Sequence, residues 1–218
     1  MRRLLLLAVA AAAVAAPAAH ATNECKGLTV CVPVAGPWVL TEPAAQVQYQ
    51  LSCPKNFVVA GLDAELSVRG IDVGFVGALG SPVNPGITTT RAAVFLGRLV
   101  RGPAPAASFR PHVGCIPARG GGGRTPTIHR PYPPGKPLDR RVLQVSAGRN
   151  RTVTARCPRA ERLAGATHAV GFFGARPPTL ARARAVHVTQ RTRAGTVTLV
   201  IRSSAPAVVQ LSLLCVAR

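Results

Sequence analysis

The chain is 218 residues long and carries 27 Lys and Arg against seven Asp and Glu, a formal net charge of +20. Its nine aromatic residues are too few to supply rows of base-stacking platforms, so nucleic acid is not expected as a specific partner. Its six cysteines, if paired, leave none over for a nucleophile.

Residues 1–21 read as a signal peptide. Arg2 and Arg3 form its charged start, Leu4 to Ala16 its apolar stretch, and Ala19-His20-Ala21 an A-x-A cleavage site. The apolar run is shorter than the roughly 20 residues a bilayer-spanning helix needs. Thr22-Asn23-Glu24 ahead of Cys25 does not make a lipobox. No other stretch is apolar enough to cross a membrane, so the mature chain is expected to have no transmembrane segment. It is expected to be secreted, extracellular or held in the cell envelope. Cysteines in such a compartment form disulfides, here three.

Residues 22–44 form an N-terminal segment containing a small Cys25–Cys31 loop and Gly36-Pro37-Trp38-Val39. A first module follows over 45–116. Val47, Tyr49, Leu51 and Cys53 alternate with Gln48, Gln50 and Ser52, the period of a half-buried strand. Leu62, Ala64, Leu66 and Val68 alternate with Asp63, Glu65, Ser67 and Arg69. Phe109, Pro111, Val113 and Cys115 alternate with Arg110 and His112. Residues 117–138 are rich in Gly, Pro and Arg and read as a linker. The second module covers 139–218. There Val153, Ala155 and Cys157 share a face, as do Val186 and Val188, then Val197, Leu199 and Ile201, then Val209, Leu211, Leu213 and Cys215. Leu180 to Ala185 is the best helix candidate, and it merges into a strand pattern. Short alternating strands punctuated by Gly and Pro predict an all-β fold of two tandem antiparallel Ig-like β-sandwich modules.

The two modules share a motif. Cys53-Pro54 leads to Ala60-Gly61, then to Val73-Gly74-Phe75-Val76-Gly77, and closes at Cys115. Cys157-Pro158 leads to Ala164-Gly165, then to Val170-Gly171-Phe172-Phe173-Gly174, and closes at Cys215. The Cys-to-Gly interval is eight in both, and the Cys-to-Cys intervals are 62 and 58. Of the 15 ways to pair six cysteines, the repeat selects Cys53–Cys115, Cys157–Cys215 and Cys25–Cys31. Each long bridge is worth about 4 kcal/mol in the chain-entropy picture. On Cys53, Pro54, Val59, Gly61 and Cys115, and again on Cys157, Pro158, Leu163, Gly165 and Cys215, the modules resemble an uncharacterised β-sandwich repeat of secreted actinobacterial proteins. Leu62 and Ala166 stand where that repeat carries a second Gly. The resemblance implies a fold and no activity.

Charge is distributed unevenly. Residues 22–81 hold five acids and three bases, net −2; residues 82–218 hold 22 bases and two acids, net +20. Such a field gathers polyanions, and Arg grips phosphate and carboxylate with a two-pronged donor. The expected function is therefore non-catalytic: binding of an acidic wall polymer or polysaccharide through Arg140, Arg141, Arg149, Arg151, Arg156, Arg182, Arg184, Arg191 and Arg202. The plainer alternative is a structural envelope protein whose basic surface is merely solvated.

Signals for catalysis are thin. There is no Gly-x-Ser-x-Gly elbow and no His-Glu-x-x-His helix. His112 and His187 fall on polar strand faces, His129 in the linker, and His168 beside a Gly turn, a set that predicts no metal site and no cofactor. Asp63 and Glu65 share a strand face about 7 Å apart and, with Asp72, would be the carboxylates of a secreted hydrolase. A solvated strand face explains them more simply. Trp38 is expected in the core rather than stacked on a sugar. Gly120 to Gly123 reads as flexible linker rather than a phosphate loop.

Overall fold

The computed structural model describes residues 22–43, 45–77, 91–102, 104–118 and 138–218. In chain order the strands are β1 (Val32–Ala35), β2 (Trp38–Leu40), β3 (Val47–Ser52), β4 (Phe57–Leu66), β5 (Ile71–Gly77), β6 (Ala92–Leu99) and β7 (Ser108–Pro117), then β8 (Leu138–Ala147), β9 (Arg151–Arg156) and β10 (Glu161–Phe172). A short helix, α1 (Leu180–Arg184), precedes β11 (Val186–Arg193), β12 (Thr196–Ser203) and β13 (Ala207–Ala217). Apart from that helix the regular structure of the described residues is β, its sheets are antiparallel, and the three disulfides pair as the motif requires.

One seven-stranded sheet runs through the molecule in the order β4, β7, then β1 and β2 side by side along β7, then β10, β13 and β8. β1 and β2 are one strand broken at Gly36-Pro37, where proline has no N–H to offer and Gly36 N donates to Pro111 O at 2.8 Å. Two three-stranded sheets, β3-β6-β5 and β11-β12-β9, complete the fold.

Alternation builds two cores. Tyr49 and Phe95 pack with Phe109, Val113, Val39 and the Cys53–Cys115 bridge in the first. Leu199 and Ile201 pack with Val209, Leu211 and Cys215 in the second. Successive residues of β10 separate them: Ala169 belongs to the first core, Val170 packs on the second. Neighbouring strand residues point to opposite faces, so the two cores lie on opposite sides of the shared sheet.

The Cys-Pro…Gly spacing has a geometric meaning. In β4 the register against β7 slips between Val59, opposite Cys115, and Gly61, opposite Gly114. In β10 it slips against β13 between Leu163, opposite Cys215, and Gly165, opposite Leu214. Each is a β-bulge holding one extra residue, Ala60 or Ala164. The turns that feed these strands match too: Phe57 N donates to Pro54 O at 3.1 Å, and Glu161 N to Pro158 O at 2.9 Å.

Two expectations need correction. The Val-Gly-Phe stretches are not counterparts: Val73–Gly77 belongs to β5 of a three-stranded sheet, whereas Val170-Gly171-Phe172 ends β10 in the large sheet. Gly171 is there because a Cβ would stand 2.6 Å from Pro37 Cγ. His112 does not face solvent, because the Thr22–Cys31 segment covers that face of β7 and leaves the residue 5% exposed. Within the N-terminal segment, β2 pairs with β7 on one side and β10 on the other, and so joins the halves.

Two glutamines lock that junction. Gln50 N donates to Gln210 Oε1 at 2.6 Å, and Gln210 Nε2 donates to Gln50 O at 2.9 Å. Gln210 is buried, so the reciprocal pair satisfies groups that water cannot reach.

Candidate functional site

The sheet β9-β12-β11 turns Val197, Leu199 and Ile201 inward, where all three are fully buried. Their neighbours Thr196, Thr198, Val200 and Arg202 therefore face outward. Register extends this face over the flanking strands. Thr196 lies between Arg156 and Arg193, Thr198 between Thr154 and Arg191, Val200 between Thr152 and Thr189, and Arg202 beside His187. The result is a sheet face with threonines in the middle, Arg156, Arg191 and Arg193 at one end, and Arg202 and His187 at the other. The four arginines and His187 are exposed.

No carboxylate belongs to these rows. The second half has two acids, Asp139 and Glu161, and both belong to strands of the seven-stranded sheet. Glu161 Oε1 lies 3.5 Å from Arg141 Nη2. Rows two residues apart are about 7 Å apart along a strand, and adjacent strands about 5 Å apart. The guanidinium groups are thus spread over a patch about 20 Å long.

The structure brings together Arg156, Arg191 and Arg202 from the expected set and scatters the rest. Arg140 is half-buried, donates to Gln48 Oε1 at 2.9 Å, and has its pKa lowered by desolvation; it fastens β8 to β3. Arg141 is on β8, while Arg149 sits in the turn leading to β9 and Arg151 opens that strand in another sheet. Arg182 lies over the Phe172 ring at 5.2 Å and donates to Phe173 O and Pro206 O, each at 3.4 Å. Arg184 is exposed at the end of α1, whose cap is Thr179 Oγ1 accepting from Arg182 N. Arg193 was not anticipated, although it shares the parity of Arg191.

The acids of the first half do different work. The Glu24 carbonyl oxygen nests in the hollow left by two glycines; an added Cβ would stand 1.7 Å from it at Gly61 and 2.1 Å at Gly114. Asn23 N donates to Asp63 Oδ2 at 2.7 Å. Glu24 Oε1 accepts from Thr22 Oγ1 at 3.0 Å and lies 3.7 Å from His112 Nδ1. His112 Nε2 is 2.8 Å from Glu65 Oε1, near enough for an ion pair though not aligned as a hydrogen bond. Arg110 Nη1 stands 3.7 Å from the same oxygen. Asp63 is thus engaged in clasping the N-terminal cystine segment, while Glu65 is engaged with His112 and Arg110 of β7. Asp72 lies on β5, in another sheet, 3.7 Å from Arg98.

Other candidates are accounted for locally. His168 Nδ1 meets Gln190 Oε1 at 2.9 Å. Glu161 approaches Cys157 and Cys215, but both sulfurs are joined in a disulfide and cannot serve as thiolate ligands. Trp38 is buried, as expected. Gly120 to Gly123 and His129 lie outside the described residues. Comparison with family models, curated proteins and solved structures returns no match for this chain.

Proposed function

We propose that this protein is exported and non-catalytic, and that it binds acidic polymers through the outward face of β9-β12-β11. The observation that carries this reading is the sorting of charge: Arg156, Arg191, Arg193 and Arg202 share one exposed face with threonine hydroxyls and no acid. Guanidinium groups there donate in pairs to phosphate, sulfate or carboxylate oxygens, and the hydroxyls add adaptable donors between them. We further read the chain as two copies of one six-strand unit, each an Ig-like sandwich closed by its cystine. The matching bulges at Gly61 and Gly165 support that reading.

The test removes equal charge from two places. Full-length protein is run on immobilised heparin and on polyphosphate, with salt gradients. Arg191→Gln/Arg193→Gln/Arg202→Gln removes the face, and Arg149→Gln/Arg151→Gln/Arg184→Gln removes as much charge elsewhere. The face variant is expected to lose affinity and to lower the log–log salt slope by about 2–3, since each neutralised anion contributes roughly 0.7–0.9. The control variant is expected to stay near wild type. Equal losses from both variants overturn the site and leave only a diffuse basic surface.

A further inference from the structure

The junction between the halves has two sides, and each recurs at an end of the large sheet. At the junction Val39 of β2 stands opposite Gly171 of β10, and Trp38 opposite Phe172. β8 holds the place beside β13 that β2 holds beside β7. Val145 faces Val209 as Val39 faces Phe109, and those partners each lie six residues before a closing cysteine. β4 in turn holds the place beside β7 that β10 holds beside β13. By the same count Leu66 and Val68 correspond to Val170 and Phe172. Among the described residues, no strand pairs with the outer edge of β8 or of β4.

The geometry of repetition is open. β2 is antiparallel to both β7 and β10, and β13 is antiparallel to β10, so β7 and its counterpart β13 run in opposite directions. The two cores lie on opposite faces. The operation relating the halves is therefore a half-turn about an axis across the strands, combined with a step along the sheet. Repeating such an operation advances without closing.

We propose that copies of this chain associate head to tail, the β8 edge of one copy pairing antiparallel with the β4 edge of the next. The junction register carries over to place Ser146 opposite Leu66 and Val145 opposite Ser67, so that the seven-stranded sheet continues into the neighbouring molecule. Three observations support this partner. Leu66 at the end of β4, Val68 in the bend just beyond it and Leu143 on β8 are large apolar side chains left 42%, 36% and 41% exposed. Phe172, the counterpart of Val68, is buried at the internal junction. In the same register Arg149 falls opposite Asp63. β4 ends at Leu66 and the chain has left for β5, in another sheet, by Ile71, so this register confines the contact to residues 143–149 facing 63–69. The inference rests on the likeness of the halves and not on polymer binding.

The test uses two capped variants, Leu66→Lys at one edge and Leu143→Lys at the other. Both positions are partly exposed, so neither change disturbs a core. Sedimentation is followed from about 10 µM to about 1 mM, the range for a contact of this small size. Wild type is expected to grow past the dimer without a plateau. Each variant alone is expected to stay monomeric, and an equimolar mixture to stop at the dimer, because each variant keeps the edge that the other lacks. A second readout mixes Leu66→Cys with Ser146→Cys under mild oxidation, where the mixed dimer is expected in excess of either homodimer. A wild type that remains monomeric throughout, or that plateaus at the dimer, overturns the proposal. So does a mixture of capped variants that fails to dimerise.

Discussion

Replacing one of two sequence-equivalent glycines separates the roles of the halves. Gly61 and Gly165 stand eight residues after their cysteines, at the same step of the same bulge. A Cβ at Gly61 would overlap a backbone oxygen, that of Glu24, which cannot rotate away. A Cβ at Gly165 would meet Leu214 Cδ1 at 3.7 Å, an ordinary contact. Gly61→Ala must therefore push the cystine loop off β4 and β7. Overpacking of this kind costs about 1–3 kcal/mol, and the lost charge-assisted bond from Asn23 N to Asp63 adds about 1.5–3 kcal/mol. Relief of glycine's backbone entropy returns about 0.5–1 kcal/mol. The expected net loss is about 2–5 kcal/mol, which lowers Tm by roughly 4–20 °C for a chain of this size. Gly165→Ala is expected to move Tm by no more than about 2 °C. Scanning calorimetry gives both values, and hydrogen exchange at residues 22–31 reports whether the loop has lifted. A Tm for Gly61→Ala that matches Gly165→Ala would refute the account of the clasp.

Gln210→Ala is expected to cost about 2–4 kcal/mol by denaturant melts, because it strands the N–H and C=O of Gln50 and empties a buried site. Gln50→Ala, which leaves those backbone groups in place, should stay within about 1 kcal/mol; equal costs would deny the reciprocal bond its role. Burial pushes the Tyr49 hydroxyl up to about 12. The folded state therefore keeps its proton where the unfolded state, near pH 10, gives it up. That stabilisation is present in full below pH 10, is lost as pH rises from 10 to 12, and amounts to about 2–3 kcal/mol over the window. Ultraviolet titration of a Tyr132→Phe variant, which leaves Tyr49 as the one phenol, should find it un-ionised at pH 11 while the protein is folded; a Tyr49 transition near pH 10 would contradict it.

Much of this was legible in the chain. Period-2 alternation put Val47, Tyr49 and Cys53 on a buried face, and the cysteine spacing paired all six sulfurs correctly. Alternation describes one strand at a time, however, and says nothing about what lies over its polar side. His112 looked solvent-facing for that reason, because the loop that covers it comes from 88 residues upstream, at Glu24. The function of β2 was hidden because a three-residue strand with Pro37 before it carries almost no periodic signal. The arginine face was half visible: parity groups Arg191 with Arg193, yet only cross-strand register places Arg156 and Arg202 on the same surface. Proximity in sequence misled for Arg149 and Arg141, since a turn sends the chain from one sheet to another.

The central position of β2 also decides whether the protein can be divided. A cut within 119–137 looks like a clean excision between two self-sufficient pieces. The C-terminal fragment would nonetheless lose the strand that shelters Phe172 and the backbone that satisfies Gln210, while the N-terminal fragment would bare Trp38. Whatever its ancestry, the molecule has become indivisible: neither piece inherits a finished surface, and the intact chain should melt in a single step.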